Sequence, residues 1–284
     1  MTEIRITPKS APLERGAHDA QSSWNGIRSL AVTVGPSLVL DALVAVGTAV
    51  AAADIVRPRF EKHRVPQLVA PLIAAAAAGY MLKVRPWVLH WGATDAEVNA
   101  TLPGDELILD LAWQSTRAIH IAAPAEAVWP WLAQMGQDRG GLYSYDWLEN
   151  LAGLDFHSAD RIVPEWQHVQ VGESVRFAPN QDTLVVSRVE PNECLVWRVL
   201  NPATHQAADS SSGPVWVDAT WSFVLRRVDE QHSRLIQRFR FGIRPRLLGV
   251  LYTALIEIPH FVMERRMLLG IRERAERQRA IDPQ

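Results

Sequence analysis

The hydrophobic residues follow one pattern in the N-terminal part of the chain and another pattern in the rest. Residues 29–53 and 65–82 are two almost continuous apolar runs. Each is long enough to cross a hydrocarbon core of ~30 Å as a helix that rises ~1.5 Å per residue. From residue 115 onward, apolar positions alternate with polar ones or recur at helical spacing. The pattern therefore predicts an N-terminal helical hairpin followed by a folded domain.

The second part reads as a series of strands enclosed by helices. A strand at Thr116–Ala122 precedes a helix that Pro124 opens, because proline suits the first helical turn. A short helix at Tyr145–Leu151 comes next. Alternation then predicts five strands, at 174–178, 183–190, 193–200, 215–225 and 234–241. The apolar stripe near the end predicts a helix at 246–278.

This order of elements predicts an α+β fold, a curved antiparallel sheet around a long C-terminal helix with a cavity between them. In residues 215–225 and 234–241, apolar side chains share one face, and side chains such as Asp218, Arg234 and Arg238 share the other. An antiparallel sheet with one wet face gives such alternation. We therefore expect the polar side chains to be solvated.

The pattern divides the chain into five regions. They are a disordered tail (1–26), a membrane helical hairpin (27–90), a linker lying over the surface (91–114), the folded domain (115–278) and a second tail (279–284). Both tails are polar and lack an apolar period.

The hairpin has the flanks of a membrane segment. A basic loop, 57–64, joins its two runs, and Trp87 and Trp91 follow the second run among cations, as in an interfacial belt. Asp41 opposes this prediction, because a carboxylate at a bilayer centre costs roughly 2.5–3.5 kcal/mol. A soluble alanine-rich hairpin is the alternative. We therefore predict that the hairpin attaches the protein to the cell membrane. The basic loop favours a cytoplasmic loop, with both chain ends outside the cytoplasm. Because cations also lie beyond the two runs, the side of the membrane on which the folded domain lies stays undecided.

Composition excludes some functions. The net charge of −2 gives no electrostatic case for nucleic acid. A single cysteine, Cys194, excludes a disulfide framework and a zinc site built on several thiolates. Eleven tryptophans require burial in a core, a pocket or a membrane interface. We predict no metal and no cofactor.

One segment concentrates candidate chemistry. His157 and Asp160 lie in the densest titratable cluster of the chain, and a histidine with an acid can transfer protons in an apolar cavity. Helix capping and surface salt bridges are the alternative. Tyr143, Tyr145 and Trp147 lie just before, at a spacing of two, and form either a pocket wall or a core cluster.

Three stretches resemble a known family. Thr116–Gly136 (TRAIHIAAPAEAVWPWLAQMG) resembles the opening strand and helix of the START-like superfamily, also called SRPBCC or polyketide cyclase/dehydrase-like. Gly136–Asn150 and Asp155–Trp166 resemble a bacterial, membrane-tethered subgroup, as does the preamble within 84–105. The resemblance covers about residues 84–278. It implies the helix-grip fold but not a chemistry, since the superfamily includes lipid carriers, hormone receptors, cyclases and oxygenase domains.

The first hypothesis is that the domain binds or transfers a hydrophobic small molecule, such as a lipid, an isoprenoid or a polyketide-like compound. The second is a cofactor-independent cyclase or dehydratase that uses His157 and Asp160 as acid and base. The third is an interaction protein with a vestigial cavity. The ligand-binding candidates are Trp131, Tyr143, Tyr145, Trp147, His157, Trp166, Trp197, Trp221 and Phe239.

Overall fold

The computed structural model describes residues 78–281 except 152, 178–183, 201–206 and 208–212, together with Leu72 and Ala75. Most of the predicted hairpin, and the tail 1–26, lie outside these residues. The α-helices are α1 (Arg85–Leu89), α2 (Asp95–Asn99), α3 (Ala125–Ala133), α4 (Asp146–Leu151) and α5 (Arg246–Ile281). The strands are β1 (Trp113–Ile121), β2 (Ser174–Val175), β3 (Leu184–Glu190), β4 (Cys194–Val199), β5 (Trp216–Arg227) and β6 (Ser233–Arg244). A π-helical turn, Tyr80–Val84, precedes α1, and 3₁₀ turns occur at Asp105–Leu107 and Pro164–Trp166.

The strands form one antiparallel sheet in the order β1-β6-β5-β4-β3-β2. The register of β1 on β6 runs from Trp113 opposite Phe241 to Ile121 opposite Ser233. Strands β5 and β6 have 12 residues each and form the longest pairing. A six-stranded antiparallel sheet followed by a long helix confirms the predicted α+β class.

Helix α5 packs on the inner face of the sheet, against β1 and β6, and α3 packs against α5. The buried stripe of α5 includes Met267, Leu268 and Ile271, which belong to the main hydrophobic core. Two segments, Arg246–Thr253 and Leu255–Ala280, meet at a bend of 55°. Pro259 accounts for the bend, because a proline ring clashes with the backbone carbonyl four residues earlier and removes a helical hydrogen bond at that point.

The outer face of the sheet is covered, so the prediction that its polar side chains are solvated is wrong. Asp218 is 4% exposed, and Arg238 is 1% exposed. The segment predicted as a linker, 91–114, covers them: Arg238 pairs with Asp105 at 2.5 Å and donates to the carbonyl of Glu97 at 2.8 Å. Local alternation showed which side chains face outward but could not show that a distant segment buries them.

Helix α2 supplies a second buried pair on this face. Thr94 caps the helix, and Glu97 closes the capping box. The Glu97 carboxylate also accepts from Arg234 at 2.6 and 2.7 Å. This hydrogen bonding, against the opposing effect of burial, lowers the pKa of Glu97 to about 2. The pair therefore holds α2 to β6 at neutral pH.

Among the described residues no single helix has the length and apolar composition to cross a membrane, although the two bent segments of α5 meet those criteria as a pair. Apolar side chains are nevertheless exposed near the start of the described domain and along α5, among other places. Leu82 and Trp87 are exposed before and within α1. Leu247, Val250 and Ile258 are exposed along the first half of α5. Trp87 contacts Phe261 of α5, one turn beyond Ile258, so the exposed Trp87 lies near the middle of α5.

Candidate ligand-binding site

The inner face of the sheet presents side chains in rows, because paired residues of neighbouring strands lie side by side. One row is aromatic: Phe239 on β6 pairs with Trp221 on β5, which pairs with Trp197 on β4. Their ring centroids are 6.1 and 5.8 Å apart, with the rings edge to face. The next row contains two polar residues, Arg117 on β1 opposite Gln237 on β6. The inner face is therefore an aromatic surface beside a polar strip.

Helix α5 presents three polar side chains to these rows. Glu257, His260 and Glu264 follow one another at intervals of three and four residues, so they lie on one side of the helix. The His260 ring lies 4.8 Å from the Phe239 ring and 6.3 Å from the Trp221 ring, measured between centroids. His260 thus stands over the aromatic row.

Glu264 organises the polar strip. Gln237 Nε2 donates to Glu264 Oε1 at 2.6 Å, and His260 Nε2 lies 3.2 Å from the same oxygen. Arg117 forms an ion pair with Glu264 Oε2. Arg117 and Glu264 are 0% and 1% exposed. Because each charge would be costly to bury alone, the arrangement depends on both.

Glu257 organises a second buried cluster. It accepts from Trp113 Nε1 at 2.7 Å, from Arg85 Nη2 at 2.9 Å and from Tyr80 Oη at 3.0 Å. Arg117 Nε also donates to the carbonyl of Val88 at 3.0 Å. Both buried carboxylates are thereby connected to residues 80–88, which follow the predicted hairpin.

Burial sets the charge state of the strip. It lowers the pKa of His260 to about 3, with a further contribution from Arg117, so His260 is neutral at pH 7. Burial also lowers the pKa of Arg117 to about 9, which leaves the guanidinium charged at pH 7. A carboxylate next to His260 Nε2 favours the proton on that nitrogen. His260 Nδ1 is then an acceptor.

Several inward polar atoms have no hydrogen-bond partner within the described part of the chain. They are Trp197 Nε1, Trp221 Nε1, Arg117 Nη2, Gln237 Oε1 and His260 Nδ1. The first three are donors, and the last two are acceptors. Buried polar atoms are normally paired, so these atoms are available to hydrogen-bond a water molecule or a polar group of a ligand.

Part of this region is exposed to solvent. Phe239 and Tyr252 face the interior but are partly exposed, and the His260 side chain is 16% exposed. The access lies between β6 and the first half of α5. Two depressions of about 530 and 540 Å³ lie elsewhere, beside Trp216 and beside Cys194. The space between the aromatic row and α5 is itself bordered by the rings of Trp197, Trp221, Phe239 and His260.

The structure places five of the ligand-binding candidates inside the domain in two groups. Trp197, Trp221 and Phe239 form the aromatic row. Trp131 is buried against Tyr143, whose hydroxyl donates to the Trp131 carbonyl at 3.1 Å. Tyr143 also packs beneath Arg274, at 4.7 Å from the ring centroid. These contacts make Tyr143, a fifth candidate, part of the core beside α5.

The other candidates lie towards the surface. Trp147 is 68% exposed, and the partly exposed Tyr145 contacts it edge to face. Trp166 lies in a surface 3₁₀ turn, where its carbonyl accepts from Arg139 at 2.6 Å. None of these three side chains is in the aromatic row.

The proposed acid and base are also at the surface. The His157 side chain is 78% exposed and contacts Asp155, and the Asp160 side chain is 79% exposed and pairs with Arg274. Acid–base chemistry on an apolar substrate needs both groups to face a shielded site. The structure does not bring them there, because the segment that carries them lies outside the helix–sheet interface.

The polar strip was missed in the sequence, although a signal for it existed. Arg117 and Gln237 occupy inward positions of alternating strands, where apolar residues are expected. Glu257, His260 and Glu264 interrupt the apolar stripe of α5 at helical spacing. Polar residues in core positions of two elements that pack together are the signal for an internal site.

Among the described residues no group of three or more His, Cys, Asp or Glu side chains is arranged to hold a metal ion. No family model and no curated protein matches the chain. Solved structures similar to it include a hypothetical protein of Helicobacter pylori, with 11% identity and a TM-score of 0.36 over 62% of this chain and 96% of that one.

Two further similar structures are enzymes. One is norcoclaurine synthase of Thalictrum flavum, with 10% identity and a TM-score of 0.32 over 59% of this chain and 96% of that one. The other is an aromatase/cyclase of Streptomyces, with 15% identity and a TM-score of 0.27 over 58% and 94%. At these scores the similarities carry no argument about function, which rests on the site described above.

Proposed function

We propose that this protein is a membrane-anchored START-like domain that binds a hydrophobic small molecule between the sheet and α5. A lipid, an isoprenoid or a polyketide-like compound fits this class. One observation carries the proposal: an aromatic inner face and unpaired inward polar atoms occur together where solvent enters between β6 and α5. Ligand sites combine apolar walls with a few polar groups that orient the ligand.

Binding needs the first half of α5 to move, because the rings of the aromatic row already touch. The segment Arg246–Thr253 is bent away from the rest of the helix by 55° and carries exposed or half-exposed side chains, which makes it the part of α5 with the least packing to lose. A ring system that buries ~200 Å² of apolar surface gains about 5 kcal/mol.

Native mass spectrometry of the full chain, extracted in detergent, tests the proposal. The expected result is a co-purified lipophile bound one to one. Val199→Trp is the blocking variant, since Val199 lies on the inner face next to the aromatic row and is only partly buried. Val228→Trp is the matched control, because Val228 is 54% exposed beyond the end of β5.

Loss of the bound mass in the first variant and its retention in the second support the site. A wild-type protein that never carries a lipophile, and that binds none when apolar probes are added, contradicts the proposal. That result favours the alternative of an interaction protein with a vestigial cavity.

The anchor is a separate part of the proposal. Residues 29–53 and 65–82 form a membrane hairpin that holds the domain at the surface of the cell membrane. The exposed apolar side chains of Leu82 and Trp87, the second of which contacts α5 at Phe261, support this placement. They give the domain an apolar edge where the hairpin joins it.

A further inference from the structure

We infer that the ligand is an uncharged, flat apolar molecule with a hydroxyl group, and that the hydroxyl lies at His260, Gln237 and Trp221. This inference rests on the proposed function and specifies its ligand class. Three observations lead to it: the balance of charge in the interior, the mixture of donors and acceptors left unpaired, and the arrangement of the rings.

The interior charges are already balanced. Glu264 is paired with Arg117, and Glu257 is paired with Arg85. His260 is held neutral by burial. A ligand that brought its own charge would remain uncompensated in a region of low dielectric, at a large cost. The site therefore selects an uncharged molecule.

The unpaired atoms next to His260 include both a donor and acceptors. Gln237 and His260 meet at one oxygen of Glu264, and the atoms they turn away from it, Gln237 Oε1 and His260 Nδ1, are unpaired acceptors. The Trp221 ring adjoins the His260 ring and carries an unpaired N–H donor. A carbonyl or an ether could satisfy only the donor. A hydroxyl, which donates and accepts, can satisfy both kinds.

The rings around this point define the body of the ligand. Phe239, Trp221 and Trp197 form a row of edge-to-face aromatic contacts on the sheet, and His260 faces that row from α5. Their spacing suits a planar group inserted between helix and sheet. Flexible chains would fill such a space less well, because they lose more rotational freedom on binding.

The test compares probes of one shape that differ at one atom: 2-naphthol, naphthalene, 2-methoxynaphthalene and 2-naphthoate. Binding to the full chain in detergent is measured at pH 7 by equilibrium dialysis and referred to the free aqueous probe, with Val199→Trp as the background. We expect 2-naphthol to bind about tenfold or more tightly than naphthalene or 2-methoxynaphthalene, because one or two buried hydrogen bonds contribute a difference of that size. We expect 2-naphthoate to bind more weakly than any neutral probe.

His260→Phe and Trp221→Phe each remove one side of the hydroxyl site. In either variant the preference, taken as the ratio of 2-naphthol to naphthalene affinity in that same variant, is expected to fall to about twofold or less. Trp216→Phe is the matched control, since Trp216 is a buried tryptophan of the same strand whose side chain faces the outer side. It should leave the preference unchanged.

The order of affinities separates two kinds of failure. If naphthalene binds as tightly as 2-naphthol or more tightly, the hydroxyl site is refuted and the proposed hydrophobic binding stands, since an apolar cavity disfavours an unpaired hydroxyl. If 2-naphthoate binds best, the site prefers an anion, and the inference that the ligand is uncharged is refuted. If no probe binds above the Val199→Trp background, the proposed function fails with it.

Discussion

Removing the carboxylate of Glu264 tests the buried ion pair that organises the polar strip. In Glu264→Leu the Arg117 guanidinium keeps hydrogen bonds to two neutral groups, Ser115 Oγ at 2.9 Å and the Val88 carbonyl at 3.0 Å. Glu257, the other carboxylate that acts on Arg117, is already paired with Arg85. Arg117 is 0% exposed, so water cannot replace the lost charge. An uncompensated buried charge of this kind costs about 3–5 kcal/mol. That is a large share of the roughly 5–15 kcal/mol that stabilises a typical domain.

The assay is urea unfolding of the full chain in detergent, followed by the near-ultraviolet circular dichroism of the tryptophans. Glu273→Leu on the same helix is the control: it removes a half-exposed partner of Arg266 and should cost less than about 1 kcal/mol. Arg117→Met combined with Glu264→Leu replaces both charges by apolar groups. The double variant should lie closer to the wild type than Glu264→Leu alone, because neither charge is left unpaired.

Two results would refute this reasoning. One is a cost for Glu264→Leu no greater than that for Glu273→Leu. The other is a double variant whose loss equals the sum of the losses of Glu264→Leu and of Arg117→Met measured singly, since additivity means that the two groups do not interact.

Three other predictions follow from the structure. The pKa of Glu97, lowered from 4.5 to about 2, contributes on the order of 3 kcal/mol, which is present above pH 4.5 and is lost as the pH falls towards 2. Urea unfolding at pH 3 and pH 6 should differ by roughly 2 kcal/mol of this contribution in the wild type and by less in Glu97→Gln. Gly270→Ala should destabilise the protein by about 1–3 kcal/mol, because a Cβ there lies 2.2 Å from the Tyr143 carbonyl oxygen; a rise in melting temperature, as helix propensity alone predicts, contradicts this contact. The full chain should stay in the membrane pellet after alkaline carbonate extraction, as an inserted hairpin does, and its release into the supernatant would reject the membrane anchor.

Local pattern was sufficient for the elements of the domain. The alternation around Trp221 and Phe239 placed both side chains on the inner face of the sheet, where the structure has them. The predicted C-terminal helix begins at the residue where α5 begins. These features depend on the period of apolar positions, which is a property of neighbouring residues in the chain.

Local pattern was insufficient for the candidate site. His157 and Asp160 are close in sequence and have the chemistry of an acid and a base, which predicted a catalytic pair. The loop that carries them faces solvent instead. Arg117, Gln237 and Glu264 are up to 147 residues apart in sequence numbering (264 − 117) and meet only when α5 lies on β1 and β6. No spacing rule connects them.

The sequence by itself therefore determined the α+β class, the inner face of each long strand and the stripe of α5, because these follow from periods of two and of about 3.6 residues. The tertiary structure alone decided which polar residues are buried. It covered the outer face of the sheet with residues 91–112, and it brought His260 and Glu264 over Gln237. The physical reason is that burial and pairing of a charge depend on which distant elements pack together: Arg117 lies on β1, the first strand, and its partner Glu264 lies on α5, the last helix.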